Sequence, residues 1–199
     1  DLKLLQEMQA LWNQIDNDPK IAELIDDLKK DKLLKNNKIV IFTESKETGE
    51  YLLDNLYKTF PEKVMFYCST GGVLTPGHSY KSVSISKDII RENFDANFDN
   101  PKNDIRILIT TDVLAEGVNL HRSNVIINYD LPWNPTRVLQ RVGRVNRVGT
   151  KHPRIIIYNF FPTAQTDNEL NLEDNIKTKI QAFHDALGED ARYLTEDEI

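Results

Sequence analysis

The sequence predicts an α/β domain whose mainly parallel sheet is covered by helices on both faces. Three observations carry this expectation. Five short runs consist almost wholly of branched or aromatic apolar residues: Ile39–Phe42, Val64–Cys68, Ile105–Ile109, Val125–Asn128 and Arg154–Tyr158. A strand with no polar alternation is buried on both faces, which antiparallel sheets rarely require and parallel sheets usually do. Segments with helical periodicity separate most of these runs, the order expected of crossover connections.

Residues 1–16 read as a helix, with Leu5, Met8, Trp12 and Ile15 at helical spacing. Asp18-Pro19 then opens a second helix, because Asp can cap the free amides and Pro is pre-set for the first turn. Its apolar stripe is Ile21, Leu24, Ile25 and Leu28, and Lys29 to Lys38 is expected as a polar link. Ser45 caps a helix over 46–58, with Glu47 in the first turn, where the helix dipole favours an anion. Ser69 to Ser86 holds five Ser, three Gly and one Pro, so a long, exposed and mobile loop is expected. Ser86 is expected to cap the next helix, in which Ile90, Phe94 and Phe98 recur every four residues. A last amphipathic helix uses Leu172, Ile176, Ile180, Phe183 and Leu187 and stops at Gly188, before an acidic tail.

The 199 residues suit one domain large enough for a sizeable core. No apolar run is long enough to span a membrane. The first residue is Asp rather than Met, so a piece of a longer protein is expected. The single cysteine, Cys68, excludes an internal disulfide and fits a reducing, cytoplasmic setting. His78, His121, His152 and His184 show no metal-ligand spacing, and no metal site is expected. A net charge of −6 argues against binding nucleic acid by bulk attraction. Residues 131–166, however, carry Arg137, Arg141, Arg144, Arg147, Lys151 and Arg154 with no carboxylate, which leaves −12 for the remainder. A basic segment on an acidic body points to a localised anion site.

That segment begins at Asn134-Pro135, a second cap pair. On a helix turning about 100° per residue, Arg137, Gln140, Arg144 and Arg147 share an arc of roughly 80°, with Val138, Val142 and Val145 opposite. Arginines without a neighbouring carboxylate suit phosphate, which a guanidinium grips in bidentate fashion.

Gln140-x-x-Gly143-Arg144-x-x-Arg147 resembles motif VI of superfamily-two helicases. Thr110-Thr-Asp-Val-Leu-Ala-Glu-Gly117-Val-Asn119-Leu, directly after a strand, resembles motif V. Lys38 to Ser45 and Thr70-Gly71 resemble weaker elements of the same set. Trp133-Asn-Pro135 with Gln140-Arg141 is most similar to bacterial relatives of the Swi/Snf-type DNA translocases, although Gly149-Thr150 stands where those often have Gly-Gln. One decoy is set aside: Gly72 to Ser79 nearly spells a phosphate loop, but His78 replaces the lysine that such a loop requires.

The resemblance implies the second RecA-like lobe of a helicase or translocase over residues 36–162, with a helical lead-in at 1–35 and a bracing helix and acidic tail at 163–199. It implies ATP with Mg²⁺ held mainly by a first lobe outside this chain, so that the fragment alone is expected to be inactive. Arg144 and Arg147 would be finger residues at the nucleotide, and Gln140 would orient the nucleotide or the attacking water. Gly117 and Asn119 would join the nucleotide to the nucleic-acid grip. Thr43, Thr70, Thr111, Lys151 and Arg154 would meet the nucleic-acid backbone, double-stranded DNA being the expected partner. RNA remains the alternative substrate, and a catalytically inert partner-binding lobe or an unrelated phosphoryl-binding domain remain alternatives in kind.

Overall fold

In a computed structural model, residues 2–12, 18–115, 118–132, 134–146, 152–161 and 178 are described. The elements run α1 (Leu2–Trp12), α2 (Pro19–Lys30), α3 (Lys32–Asn36), β1 (Ile39–Phe42), α4 (Lys46–Thr59), β2 (Val64–Cys68), β3 (Gly71–Val73), α5 (Val83–Phe94), β4 (Ile107–Thr110), β5 (Val125–Asn128), α6 (Pro135–Val145) and β6 (Ile156–Asn159). A 3-10 turn occupies Asp112–Ala115.

The caps act as their side chains dictate. Asp18 Oδ1 accepts from the amides of Lys20 (2.9 Å) and Ile21 (3.4 Å), Ser45 Oγ from Thr48 (3.0 Å), and Asn134 Oδ1 from Thr136 (3.0 Å). The six strands lie in the order β3-β2-β4-β1-β5-β6. All neighbours are parallel except β2 and β3. Register aligns Phe42 with Thr110 and Asn128, and Asn128 with Asn159, so these carboxyl ends are level.

Alternate residues of the strands feed two cores. Ile39 and Ile41 meet Leu24 and Leu28 of α2, Leu34 of α3, and Leu52 and Leu56 of α4 on one face. Val40 and Phe42 meet Ile90 and Phe94 of α5 and Val138, Val142 and Val145 of α6 on the other. This is the expected three-layer arrangement. Helices α2 and α3 supply four of the buried residues of the first core, Ile21, Leu24, Leu28 and Leu34.

Three expectations need correction. The link from Lys29 to Lys38 contains α3, because Asp31 accepts from Leu33 N (2.7 Å) and Leu34 N (2.9 Å) and so restarts a helix. The cap of α5 is Ser82, whose Oγ accepts from Ile85 N (3.4 Å). Ser86 is buried inside that helix, its hydroxyl donating to the carbonyl of Ser82 (2.7 Å). The stretch from 69 to 86 is not one exposed loop. Gly71–Val73 is buried strand, Gly72 exchanges hydrogen bonds with Lys81 (3.2 and 2.8 Å), and the Tyr80 hydroxyl donates to Glu50 (2.6 Å). Gly71 has φ +120°, and a Cβ there would collide with the Lys81 carbonyl, so its glycine serves close strand approach rather than looseness. Within it, residues 69–70, 77–79 and 81–85 are exposed, and the remainder is partly or fully buried. The phosphate-loop decoy fails as well: the Gly72 amide is committed to Lys81, the His78 amide to Thr75, and no helix opens before Val83.

Candidate functional site

Parallel strands leave their terminal backbone groups and following loops together at one edge of the sheet, the usual place for a site in such folds. Here the residues just beyond β1, β4 and β5 are Thr43-Glu44, Thr111-Asp112 and Tyr129-Asp130. They converge on Arg141 of α6.

Arg141 is only 2% exposed and is among the largest fully buried side chains. Its Nε and Nη2 donate to the two carboxylate oxygens of Asp112 (2.7 and 3.1 Å), a bidentate grip. Nη1 donates to Asn128 Oδ1 (2.8 Å) and the Asp130 carbonyl (3.2 Å), and Nη2 also reaches Glu44 Oε1 (3.3 Å). The guanidinium lies 5.0 Å from the centre of the Phe42 ring. One side chain thus ties α6 to the ends of β1, β4 and β5.

Around it the charges balance. Arg137, half-exposed, pairs with Glu44 (3.0 Å) and Asp112 (3.5 Å). Lys20 of α2 sits 3.3 Å from Asp130 Oδ1 and 3.9 Å over the Tyr129 ring. Burial, with Asp18 next in effect, pushes the Tyr129 phenol well above its ordinary range, so it stays neutral. Three cations face the carboxylates of Glu44, Asp112 and Asp130. Arg137 and Arg141 thus have the counter-charge that their own helix lacks, because the acids arrive from the loops that follow other strands.

Thr43 is buried, donates its hydroxyl proton to Asp130 Oδ2 (2.5 Å), and shares that oxygen with the Glu44 amide (3.1 Å). Its proton is therefore engaged within the protein. Thr111 differs, since its buried Oγ1 has no hydrogen-bond partner among the described residues. Thr70 is exposed beyond β2, its Oγ1 3.1 Å from Cys68 Sγ. Asn119 Nδ2 donates to Asp95 Oδ2 (3.3 Å), and the next residue, Leu120, donates its amide to the Arg144 carbonyl (3.2 Å). The segment after β4 is thus held to α6 twice, at Asp112 and at Leu120.

Val138, Val142 and Val145 are buried as the helical arc requires, while Gln140 and Gly143 are exposed and Arg144 is half-buried. Arg154 is exposed just before β6 and so lies at the amino end of the sheet, away from Thr43, Thr70 and Thr111. Gly117, Trp133, Arg147, Lys151 and the helix expected at 172–187 lie outside the described residues, apart from Thr178, which is helical. Sequence reading did not single out Glu44, Asp112, Asn128, Asp130 or Arg141 as site-forming. A usable signal was present: each of the first four ends a strand run or follows it within three residues. Among the described residues no helix is long and apolar enough to cross a membrane.

The family described as "Helicase conserved C-terminal domain" matches residues 19–149. An uncharacterized ATP-dependent helicase, YqhH, of Bacillus subtilis is 33% identical over 187 residues, covering 94% of this chain and 29% of that protein. The ATP-dependent RNA helicase SUB2 of Kluyveromyces lactis is 25% identical over 192 residues, covering 96% and 38%. The crystal structure of the C-terminal part of the Fun30 ATPase domain matches with a TM-score of 0.57 at 20% identity, over 98% of this chain and 54% of that one. That likeness identifies the fold as RecA-like α/β. This chain spans about a third of the length of these curated relatives, 29% and 38% in the two cases.

Proposed function

Because this chain belongs to the helicase conserved C-terminal domain family, we propose that it is the second motor lobe of an ATP-dependent nucleic-acid translocase, acting with a first lobe in the same protein. The single observation that most supports this reading is the double tie between the segment 110–120 and α6, through Arg141–Asp112 and Leu120–Arg144. A segment that touches nucleic acid and a helix that touches nucleotide must move together for hydrolysis to do work on the strand.

The exposed face of α6 suits a polyphosphate. Gln140 and Arg144 supply donors, and Gly143 leaves open space, with nothing within 4 Å of where a Cβ would stand. Arg144 and Arg147 serve as finger residues that stabilise charge on the transferring phosphoryl group. Gln140 orients the nucleotide or the attacking water, and Gly117 and Asn119 relay that state to the strand-holding segment. ATP with Mg²⁺ supplies the phosphoryl-transfer chemistry when bound, and the first lobe contributes most of the contacts to both. This fragment alone is therefore inactive in hydrolysis.

For the nucleic acid, Thr111 offers a buried hydroxyl with an unmet hydrogen bond, and Thr70 an exposed one. Thr43 takes part through the loop it anchors rather than through its proton. Lys151 and Arg154 make phosphate contacts, Arg154 on a part of the strand remote from Thr70. Duplex DNA is the partner we favour, because Trp133-Asn-Pro135 and Gln140-Arg141 follow the Swi/Snf-type pattern. The resemblance to the RNA helicase SUB2 supports RNA as a second reading.

One experiment addresses both questions: ATPase turnover of the longer protein with duplex DNA, single strands or RNA, in wild type and Arg144→Ala. We expect duplex DNA to stimulate turnover and Arg144→Ala to lower it by roughly 10³–10⁵-fold, with DNA affinity retained. Near-normal ATPase with lost DNA binding would place the arginine face on the nucleic acid instead.

A further inference from the structure

The parallel strands have a second level edge, opposite the one that Arg141 organises. Register aligns Ile39 with Ile107 and Val125, Ile107 with Val64, and Val125 with Ile156, so five strands begin side by side. At about 4.8 Å per strand, their starts span roughly 19 Å. A cation stands just ahead of each: Lys63 before β2, Arg106 before β4, Lys38 before β1, Arg122 before β5 and Arg154 before β6. Lys35 joins them at the end of α3. Within two residues of any of these cations the only acids are Glu62 and Asp104, on a chain whose net charge is −6.

Backbone carbonyls hold these charges in place, and a carbonyl does not cancel a charge. Arg106 Nη1 donates to the Leu34 carbonyl (2.7 Å), and its guanidinium lies 4.9 Å from the centre of the Phe60 ring. Arg122 Nη1 donates to the carbonyls of Glu92 (3.1 Å) and Lys102 (2.7 Å). Both arginines keep Nε and Nη2 uncommitted among the described residues. Lys38 donates to the Ile105 carbonyl and lies 4.8 Å over the Phe94 ring. Burial and then Arg122 lower its pKa to about 8, with Lys63 acting the same way and Asp104 against them, so the cations feel one another. Among the described residues, none of the six forms an ion pair. At the carboxyl edge, by contrast, Lys20, Arg137 and Arg141 each have a carboxylate.

We propose that the amino edge of the sheet, centred on Lys38, Arg106 and Arg122, is a second nucleic-acid surface that takes the phosphate backbone of duplex DNA without reading its sequence. The proposal rests on reading this chain as a lobe of a nucleic-acid motor. Guanidinium groups fixed in orientation suit phosphate. The span of roughly 19 Å matches five to six phosphates of one duplex strand at about 3.4 Å each. A duplex is favoured over a single strand because the rings at this edge, Phe60 and Phe94, lie beneath Arg106 and Lys38. No ring is therefore offered for the base stacking on which single-strand surfaces rely. Thr70 and Thr111 lie at the other edge, so the two surfaces meet different parts of a long duplex.

The test measures binding of the 199-residue chain to a short labelled DNA duplex by fluorescence anisotropy, from roughly 50 to 200 mM salt. The double variant Lys35→Gln, Lys63→Gln removes two exposed charges. It should weaken binding and reduce the slope of log K against log salt by about two units, one per lost phosphate contact. Thermal melting checks its fold; should the melting temperature drop, Lys63→Gln alone, with an expected loss of about one unit, decides instead. Thr70→Asp reports separately on the carboxyl edge. Unchanged affinity and slope in the folded double variant would overturn the basic surface, and the motor reading would stand if Thr70→Asp still weakens binding. Loss in the double variant without any effect of Thr70→Asp would uphold the amino edge and remove the nucleic acid from the carboxyl edge. Tighter binding of a single strand, equal binding of a poly-glutamate peptide of matched charge, or no binding at the lowest salt would each overturn the proposal.

Discussion

Replacing Arg141 by Ala removes the side chain on which the ends of three strands converge. The guanidinium is 2% exposed, whereas Asp112 and Glu44 are 33% and 41% exposed. Breaking a fully buried ion pair from one side costs about 3–5 kcal/mol, because the other charge is left uncompensated. Here water can partly rescue the two carboxylates, but it cannot reach Asn128, which is fully buried and loses the donor to its Oδ1. The low end of the range is therefore expected, about 3 kcal/mol, or roughly 6–12 °C in melting temperature for a chain of this size. Urea unfolding followed by circular dichroism measures it. Arg141→Lys keeps the charge but not the bidentate fork, so it should fall between wild type and Ala. In Asp112→Asn background the Arg141→Ala loss should shrink by about 1–3 kcal/mol, since the two share one interaction. A loss below about 1 kcal/mol with an unchanged urea slope, or full additivity with Asp112→Asn, would show that Arg141 does not hold the site together.

Two further outcomes follow from particular environments. Gly143 lies in α6 with open space around its missing Cβ, so Gly143→Ala should stabilise the chain by about 0.5–1 kcal/mol. The same variant should depress ATPase in the longer protein if nucleotide approaches that face; unchanged turnover would move the nucleotide off it. Lys38 donates to the Ile105 carbonyl and sits 4.8 Å over the Phe94 ring, and burial, aided by Arg122, lowers its pKa from 10.5 to about 8. Between those values the unfolded chain holds more protons than the folded one, so the contribution of Lys38 to stability rises with pH across that window and is flat below it. The stability difference between Lys38→Met and wild type, measured by urea unfolding, should therefore shift in favour of wild type from about pH 8 upward, and a pH-independent difference would refute the assignment.

What the sequence determined by itself is what short-range physics controls. The cores of β1, β2 and β5 are legible because three to five consecutive apolar residues have no exposed face to offer. The starts of α2, α4 and α6 are legible because Asp18, Ser45 and Asn134 satisfy amides two or three residues away. The arginine helix presents its valines inward as its own periodicity requires. Tertiary structure alone decided the rest. Strand β3 exists because Gly71 and Gly72 let the chain lie against Lys81 and Met65, contacts that Gly and Ser content cannot announce. Ser82 rather than Ser86 caps α5 because the chain between β3 and the helix is pinned by Lys81 and Tyr80. Above all, the partners of the basic helix come from far along the chain: Glu44 lies 93 and 97 positions from Arg137 and Arg141, and Asp112 lies 29 from Arg141. A local window sees unpaired arginines. Only the level carboxyl ends of β1, β4 and β5 bring the carboxylates to them, because hydrogen-bond register, not sequence distance, sets which loops share an edge of a parallel sheet.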